Sequence, residues 1–109
     1  MISLKKFIKN LKKNKDRIAI KFDNKQVSYG YLLNEINIII KLIEKEKINV
    51  LSILESDKDE SYFYSSIIAC LIKGITYVPI NFSIPKNRLI QIYNLSNSNA
   101  IIVGRKNIS

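Results

Sequence analysis

Short apolar runs alternate with helical patterns in the second half of the sequence, and this alternation constrains the fold more than any other feature. Runs at residues 49–54, 76–80 and 100–103 have the length and composition of buried strands. Helical patterns separate them, over residues 57–73 and in the segment that opens at Pro85. Parallel strands need crossover connections, so this order predicts an α/β fold with a mostly parallel sheet flanked by helices.

A β-hairpin and a long helix precede the alternating segments. Residues 17–22 alternate as a strand does, and Asp23 and Asn24 suit the tight turn that follows. The hydroxyl of Ser28 can cap a helix predicted over residues 29–47. The side chains expected in the buried stripe of that helix are Leu32, Leu33, Ile36, Ile40 and Ile43, with Asn34, Asn37, Lys41, Glu44 and Lys45 facing water.

The helix predicted over residues 57–73 differs from an ordinary amphipathic helix. Residues 62–72 are apolar or small on nearly every face, so we expect this helix to be buried on more than one side. Ser56 is the expected N-cap and Gly74 the left-handed stop. Acidic side chains in the first turn suit the helix dipole better than a metal site, and they are Asp57, Asp59 and Glu60.

The last strand and helix carry two further expectations. Pro79 lacks an amide proton, so it should mark the end of its strand or a sheet edge. The strand at residues 100–103 would leave an open edge unless more chain follows. The third helix has Pro85 at its first position and Ser83 as a candidate cap, and its expected inner face comprises Leu89, Ile92, Tyr93 and Leu95.

Composition excludes most kinds of small enzyme. The chain has 109 residues, no histidine, one cysteine and three widely spaced glycines. Histidine-dependent triads, zinc sites that need imidazole or four thiolates, and glycine-rich phosphate loops are therefore excluded. Cys70 lies in the apolar helix with no basic neighbour and is expected to be an inert core residue. The sequence assigns no catalytic, cofactor-binding or metal-binding residue, and its length suits one domain over residues 1–109.

The net charge of +9 comes largely from residues 1–15, which have six lysines and no acid. The pattern predicts a basic amphipathic helix that docks on the domain, with a helix lying on anionic lipid as the less favoured reading. Few arginines and no interleaved aromatic side chains argue against nucleic-acid binding. No apolar stretch suits a signal peptide or stable membrane insertion, so a cytoplasmic location is expected. The lysines are Lys5, Lys6, Lys9, Lys12, Lys13 and Lys15, and the apolar face comprises Leu4, Phe7, Ile8 and Leu11.

Four stretches match motifs of one family. Residues 16–20 (D-R-I-A-I) are similar to its opening strand, and Val27-Ser28-Tyr29 followed by Leu32 is similar to its L-[TS]-Y-x-x-L element. Residues 70–81 (C-L-I-K-G-I-T-Y-V-P-I-N) are similar to L-K-A-G-x-A-Y-V-P-[LV]-D, and residues 83–89 (S-I-P-K-N-R-L) to S-x-P-x-x-R-[LIV]. The chain therefore resembles the N-terminal part of the adenylate-forming ligases, which include amino-acid adenylation domains and acyl-CoA synthetases.

The resemblance implies a function for a complete enzyme of this kind. Such a ligase uses ATP and Mg²⁺ to activate a carboxylic acid as an acyl-adenylate, which it transfers to a carrier thiol. Ile84 and the short link at residues 45–47 look more like ligases that load D-alanine onto a carrier protein, and peptide-synthetase adenylation domains are close competitors. The family's phosphate loop, adenine site, ribose-binding Asp and catalytic Lys have no counterpart in these 109 residues. The resemblance thus implies a fragment that is inactive alone.

Some residues depart from the family pattern or invite a second interpretation. The family's usual Glu is Tyr31 here, its usual Asp is Asn81, and its Lys and Ala before the glycine are Ile72 and Lys73. The matched residues expected to be structural rather than catalytic are Tyr77, Pro79 and Arg88, and core packing is expected for Tyr62 and Tyr64. Two alternatives stay open: a non-catalytic partner module that completes a split ligase, and a basic protein that binds RNA or a lipid surface.

Overall fold

The computed structural model describes residues 6, 9, 12–14, 16–21, 26–56 and 61–103. Over these ranges it has five strands and three helices whose first and last residues are defined, in the predicted α/β order. The elements are β1 (Ile18–Lys21), β2 (Gln26–Ser28), α1 (Tyr29–Lys45), β3 (Val50–Leu54), α2 (Tyr62–Lys73), β4 (Thr76–Ile80), α3 (Lys86–Leu95) and β5 (Ala100–Ile102).

The strands form two separate sheets within the described residues. β1 and β2 pair antiparallel as the predicted hairpin, and β3, β4 and β5 form a parallel sheet in the order β4-β3-β5. Leu51 of the central strand lies opposite Tyr77 on one side and Ala100 on the other. The chain leaves the middle strand through α2 to reach one edge, and returns through α3 to the other. The prediction of a parallel sheet with helical crossovers is confirmed.

The core lies where α1 and α2 pack together and against the sheet. The stripe of α1 differs from the expected one, because Ile39 is fully buried while Leu33 and Ile40 are only partly buried. Three consecutive isoleucines at residues 38–40 fit several helical phases, and the contact with α2 selects the phase with Ile39 inward. The buried residues of α1 are Leu32, Glu35, Ile36, Ile39 and Ile43, and the five polar side chains expected to face water are exposed.

Helix α1 begins as predicted and ends two residues earlier. Ser28 Oγ accepts a hydrogen bond from the amide of Tyr31 at 3.1 Å, which confirms the N-cap. Past the last turn, Lys47 adopts a left-handed φ of 52°, and the amide of Ile48 donates to the carbonyl of Ile43 at 3.0 Å. This Schellman arrangement ends the helix before residue 47 and directs the chain into β3.

Helix α2 starts later than the sequence predicts. It begins at Tyr62, after Ser61, so Ser56 is not its N-cap. Side-chain contacts hold this first turn in place: Ser61 Oγ donates to Glu35, and the Tyr62 hydroxyl donates to the carbonyl of Leu54. The acidic residues Asp57, Asp59 and Glu60 lie outside the described residues. Gly74 ends the helix with φ 68°, as expected.

Helix α3 is less buried than predicted. Pro85 occupies the N-cap position and Lys86 is the first helical residue, while the amide and hydroxyl of Ser83 both donate to Asn81 instead of capping the helix. No residue of α3 is fully buried. Leu89, Ile92 and Tyr93 are partly buried, but Leu95 is 76% exposed and is not part of the inner face.

Five residues of the predicted N-terminal helix at residues 1–15 are described, namely four lysines and Asn14. Lys6, Lys9, Lys12 and Lys13 have helical backbone and exposed side chains. The predicted apolar face of this helix lies outside the described residues. It comprises Leu4, Phe7, Ile8 and Leu11. Within the part of the chain that the structure describes, no helix combines the length and hydropathy required to cross a bilayer.

Candidate functional site

Cys70 is the chain's only thiol, and its surroundings make it a poor nucleophile. The side chain is fully buried in α2 against the core, as expected. Burial raises the pKa of the Cys70 thiol to about 12, because desolvation penalises the thiolate. The reactive form of a cysteine is the thiolate, so Cys70 is not available for nucleophilic chemistry near neutral pH.

The described residues do not fit a magnesium site. Among residues 6–56 and 61–103, as far as the structure describes them, no three acidic, cysteine or histidine side chains come together. Glu44 instead pairs with Lys73 Nζ at 2.9 Å, which joins the C-terminal turns of α1 and α2 at the surface. Mg²⁺ binds through carboxylate and phosphate oxygens, so we derive no metal-dependent step from this part of the chain.

A buried polar cluster links α1 to the start of α2, and the sequence analysis missed it. Glu35 is 3% exposed, and its Oε1 accepts hydrogen bonds from Ser61 Oγ at 2.6 Å and from Ser65 Oγ at 2.7 Å. Its place on the apolar stripe, three residues after Leu32, was the available signal. The amino end of α2 favours a nearby carboxylate, so the cluster stabilises the contact between the helices. All three side chains are buried from solvent, which suits a structural joint rather than a substrate site.

The two tyrosines at the start of α2 have different environments. Tyr62 is buried, and its hydroxyl donates to the carbonyl of Leu54 at the end of β3, which confirms core packing. Tyr64 is 47% exposed and makes an edge-to-face contact with Phe63 at a centroid distance of 5.6 Å. Core packing was therefore the wrong expectation for Tyr64, which lies on the outer side of α2.

The structure places the family-like block from Gly74 to Arg88 in β4, its following loop and the first turn of α3. Tyr77 packs against the core cluster, and Pro79 lies in β4, which pairs only with β3 among the described strands. Arg88 is exposed and donates to Gln91 at 3.0 Å. Asn81, where the family has Asp, still accepts two hydrogen bonds from Ser83, so this departure preserves the turn.

Solved structures with a similar fold include proteins described as nonribosomal peptide synthetases. The N-terminal subdomain of Klebsiella oxytoca NpsA in complex with 3-hydroxyanthranilyl-AMSN matches with a TM-score of 0.71 and 15% identity, over 93% of this chain and 26% of that one. The crystal structure of IdnL7 matches with a TM-score of 0.79 and 21% identity, over 93% of this chain and 20% of that one. The nonribosomal peptide synthetase FmoA3, in its alpha-methyl-L-serine-AMP bound form, matches with a TM-score of 0.77 and 15% identity, over 90% of this chain and 11% of that one.

These matches establish the fold and its extent. No protein-family model and no curated protein matches the sequence. The resemblance found in the sequence motifs is confirmed in the fold: three helices and a parallel three-stranded sheet, arranged as in part of the N-terminal subdomain of an adenylation domain. The chain spans about a quarter or less of the length of these three solved proteins.

Proposed function

We propose that this chain, which has the fold of part of an N-terminal adenylation subdomain, is the structural base of an adenylate-forming ligase. The reaction would join a carboxylic acid to AMP from ATP and then pass the acyl group to a carrier thiol. The observation that carries the proposal is the fold match over 93% of the chain to NpsA and IdnL7. A cytoplasmic location is part of this proposal.

An amino acid is the substrate class that the proposal favours. Solved relatives carry 3-hydroxyanthranilyl and alpha-methyl-L-serine groups in their complexes, so the fold serves several acids. Ile84 and the link at residues 45–47 favour D-alanine as the first acid to test, with a carrier protein as the acceptor. ATP and Mg²⁺ belong to the proposal for the assembled ligase.

In this proposal the chain supplies support and no reacting group. Its one thiol is protonated and buried, and its buried carboxylate Glu35 is held by two serine hydroxyls between helices. None of the family-like residues is placed as a reacting group: Tyr77 packs against the core, Pro79 lies in the edge strand β4, and Arg88 is exposed at the surface. We therefore expect the 109-residue chain alone to be inactive.

A non-catalytic partner module that completes a separate ligase chain is the second candidate, and the sheet edges favour it. Within the described residues, β4 and β5 each pair only with β3 and leave their outer edges unpaired. An unpaired edge is a template for a strand from another polypeptide. The two candidates differ in whether the working parts are covalently continuous with this chain.

Purification of the tagged chain from its native cells tests the proposal. We expect mass spectrometry to find a segment with a Thr/Ser/Gly-rich phosphate loop, a ribose-binding Asp and a catalytic Lys, either in the same polypeptide or in one that co-purifies. A denaturing gel distinguishes the two candidates. A ligase that is covalently continuous with this chain runs as one band, whereas a partner module and a separate ligase chain run as two. A stable monomer free of any such segment would contradict both candidates.

A further inference from the structure

The first fifteen residues have a density of positive charge that the rest of the chain lacks. Residues 1–15 contain six lysines and no acidic residue, whereas residues 61–109 contain five basic residues over more than three times that length. Residues 16–109 together contain twelve basic and nine acidic residues. The excess charge of the chain is therefore local, and a local excess attracts partners of opposite charge to one place on the surface.

Four of these lysines lie among the described residues, and they share one side of a helix. Lys6, Lys9, Lys12 and Lys13 have helical backbone, and all four side chains are exposed. At about 100° and about 1.5 Å per residue, they fall within an arc of about 120° and along about 10 Å of the helix axis. We call these four side chains the lysine face. A one-sided row of positive charges suits an extended negative surface better than a single small anion.

Backbone hydrogen bonds connect the lysine face to the folded domain. The amide of Arg17 donates to the carbonyl of Asn14, the residue after Lys13, at 2.9 Å. The amide of Tyr29, the first residue of α1, donates to the carbonyl of Arg17 at 2.8 Å. Asp16 and Arg17 are exposed and opposite in sign, so they leave the net charge beside the lysine face unchanged. A surface that binds these lysines therefore also holds the domain.

The C-terminal end of α1 shows how the chain arranges charge at an ordinary surface. Lys41, Lys45 and Lys47 are exposed there, and the exposed acids Glu44 and Glu46 lie between them in the sequence. Neighbouring charges of opposite sign reduce the attraction of such a surface for a charged partner. No acidic residue is available within residues 1–15 to do the same for the lysine face.

We propose that the lysine face binds the anionic surface of a lipid bilayer. Clusters of about four to eight basic residues on an amphipathic helix are attracted to acidic headgroups, and each lysine near such a surface strengthens binding by about fivefold. Lysine is a hydrated point charge that requires no fixed geometry, so it suits a layer of mobile headgroups. Proteins that bind nucleic acid rely more on arginine forks and on aromatic side chains, and the lysine face has neither.

Binding at the lysine face is separate from the proposed ligase reaction. The sequence predicts that the apolar side of this segment docks on the domain, and a contact made by the lysines alone leaves that docking in place. In the proposed cytoplasmic location, the leaflet that faces the chain is the one that carries anionic lipids. The lipid contact and the ligase assignment can therefore each fail without the other.

Sedimentation with lipid vesicles tests the contact on the 109-residue chain. The vesicles contain phosphatidylcholine alone, or phosphatidylcholine and phosphatidylglycerol at about 2:1, and we expect at least about tenfold tighter binding to the anionic vesicles. Raising the salt from about 0.1 M to about 1 M should release the chain, because the Debye length falls from about 10 Å to about 3 Å. Equal binding to both kinds of vesicle, no binding to the anionic vesicles, or binding that persists at high salt would overturn the proposal.

A matched pair of variants tests whether the position of the charge matters. The face variant carries Lys6→Gln, Lys9→Gln, Lys12→Gln and Lys13→Gln. The control variant carries glutamine at four exposed lysines elsewhere, namely Lys41, Lys45, Lys47 and Lys86. Both variants lose the same charge, and glutamine has nearly the helix propensity of lysine. We expect the face variant to bind anionic vesicles at least about fiftyfold more weakly and the control less than about fivefold. Equal losses would mean that net charge alone governs binding and would contradict the proposal.

Folding and the identity of the partner are checked in parallel. Far-UV circular dichroism of both variants should match that of the original chain. If the face variant unfolds, Lys9→Gln combined with Lys13→Gln is the milder variant, and it should still bind at least about tenfold more weakly. Polyuridylate added at the same phosphate concentration as the anionic lipid should leave the chain on the vesicles. Transfer of the chain to this RNA would overturn lipid as the partner.

Discussion

Two neighbouring buried serines on α2 have opposite hydrogen-bonding states. Ser65 Oγ donates to the Glu35 carboxylate at 2.7 Å, whereas Ser66 Oγ is a buried side-chain oxygen with no hydrogen-bond partner among the described residues. A hydrogen bond to a charged group contributes to stability, and a buried polar group without a partner costs free energy. Substitutions at these two positions therefore measure, on one helix, the gain from a buried hydrogen bond and the cost of a buried hydroxyl without a partner.

Ser65→Ala and Ser66→Ala should change the free energy of unfolding in opposite directions. Ser65→Ala is expected to destabilise the chain by about 1.5–3 kcal/mol, because it removes a buried bond to a carboxylate. Ser66→Ala is expected to stabilise it by about 1 kcal/mol, because it removes a buried hydroxyl that has no partner. Urea denaturation measures both, and equal effects for the two variants would refute the assigned states.

Cys70 predicts a pH dependence of stability at alkaline pH. Burial raises the thiol pKa in the folded state from 9.0 to about 12, so the unfolded chain loses this proton first as the pH rises. The contribution of Cys70 to stability is complete below pH 9 and should fall by up to about 1.4 kcal/mol per pH unit towards pH 12. Cys70→Ala should lose less stability over the same range in denaturation experiments. Parallel curves for the two proteins would contradict this account.

At the scale of elements, one kind of turn connects each of the helices α1, α2 and α3 to the strand that follows it. Lys47, Gly74 and Asn97 have left-handed φ values of 52°, 68° and 57°, and each follows the C-terminal turn of a helix. Gly74 alone was identifiable from the sequence, because lysine and asparagine appear at many helix ends without this conformation. A side chain at such a position is strained, and glycine is not.

Substitutions at two of these turns should have opposite signs. Lys47→Gly is expected to stabilise the chain by about 0.5–1 kcal/mol, since it relieves the positive φ. Gly74→Ala is expected to destabilise it by about 1 kcal/mol through φ alone, because an added Cβ would meet no atom within 4 Å. Thermal unfolding measures both changes. Lys45→Gly, inside α1, is the control and should cost about 1 kcal/mol.

The side chain of Asn99 helps to attach the start of β5 to β3. Asn99 Oδ1 accepts hydrogen bonds from the amides of Asn49 at 2.7 Å and Val50 at 2.9 Å. Asn99→Ala should cost about 1–2 kcal/mol and speed hydrogen exchange in β5, whereas Asn99→Asp keeps the acceptor oxygens and should cost less. Asn94→Ala on the exposed side of α3 is the matched control. Unchanged exchange at Ile102 in Asn99→Ala would show that the Asn99 side chain does not help to hold the strand.

The sequence predicted which helices and strands form better than it predicted their packing contacts and their first and last residues. Alternating apolar residues were sufficient to predict the first strand of the hairpin, and short apolar runs between helices were sufficient to predict the parallel strands. Both patterns are local in the sequence. The phase of α1 depended on α2, which selected Ile39 from three consecutive isoleucines and drew Glu35 inward. The start of α2 at Tyr62 depended on Glu35 and Leu54, residues distant in the sequence. Tertiary contacts decided each of these points, and a local pattern does not contain them.

At the scale of the whole molecule, the described residues form one hydrophobic core and a three-stranded sheet whose two outer edges are unpaired. The core lies between α1, α2 and the sheet, while both outer sheet edges lack a partner strand among the described residues. The motif block from Gly74 to Arg88 was the most specific of the stretches that predicted this fold, and it contains a helix-ending turn, an edge strand and the loop after it. The burial of Ser65 and Ser66 on the inner side of α2 became visible only in the structure.

Pyrophosphate exchange tests the central claim most directly. ATP–pyrophosphate exchange is measured with D-alanine and a panel of other carboxylic acids, for the purified 109-residue chain and for the assembly isolated from native cells. We predict acid-dependent exchange in the assembly and none above background in the chain alone. Acid-dependent exchange by the isolated chain, or an assembly that exchanges with no acid at all, would contradict the account of this chain as the structural base of an acid-activating ligase.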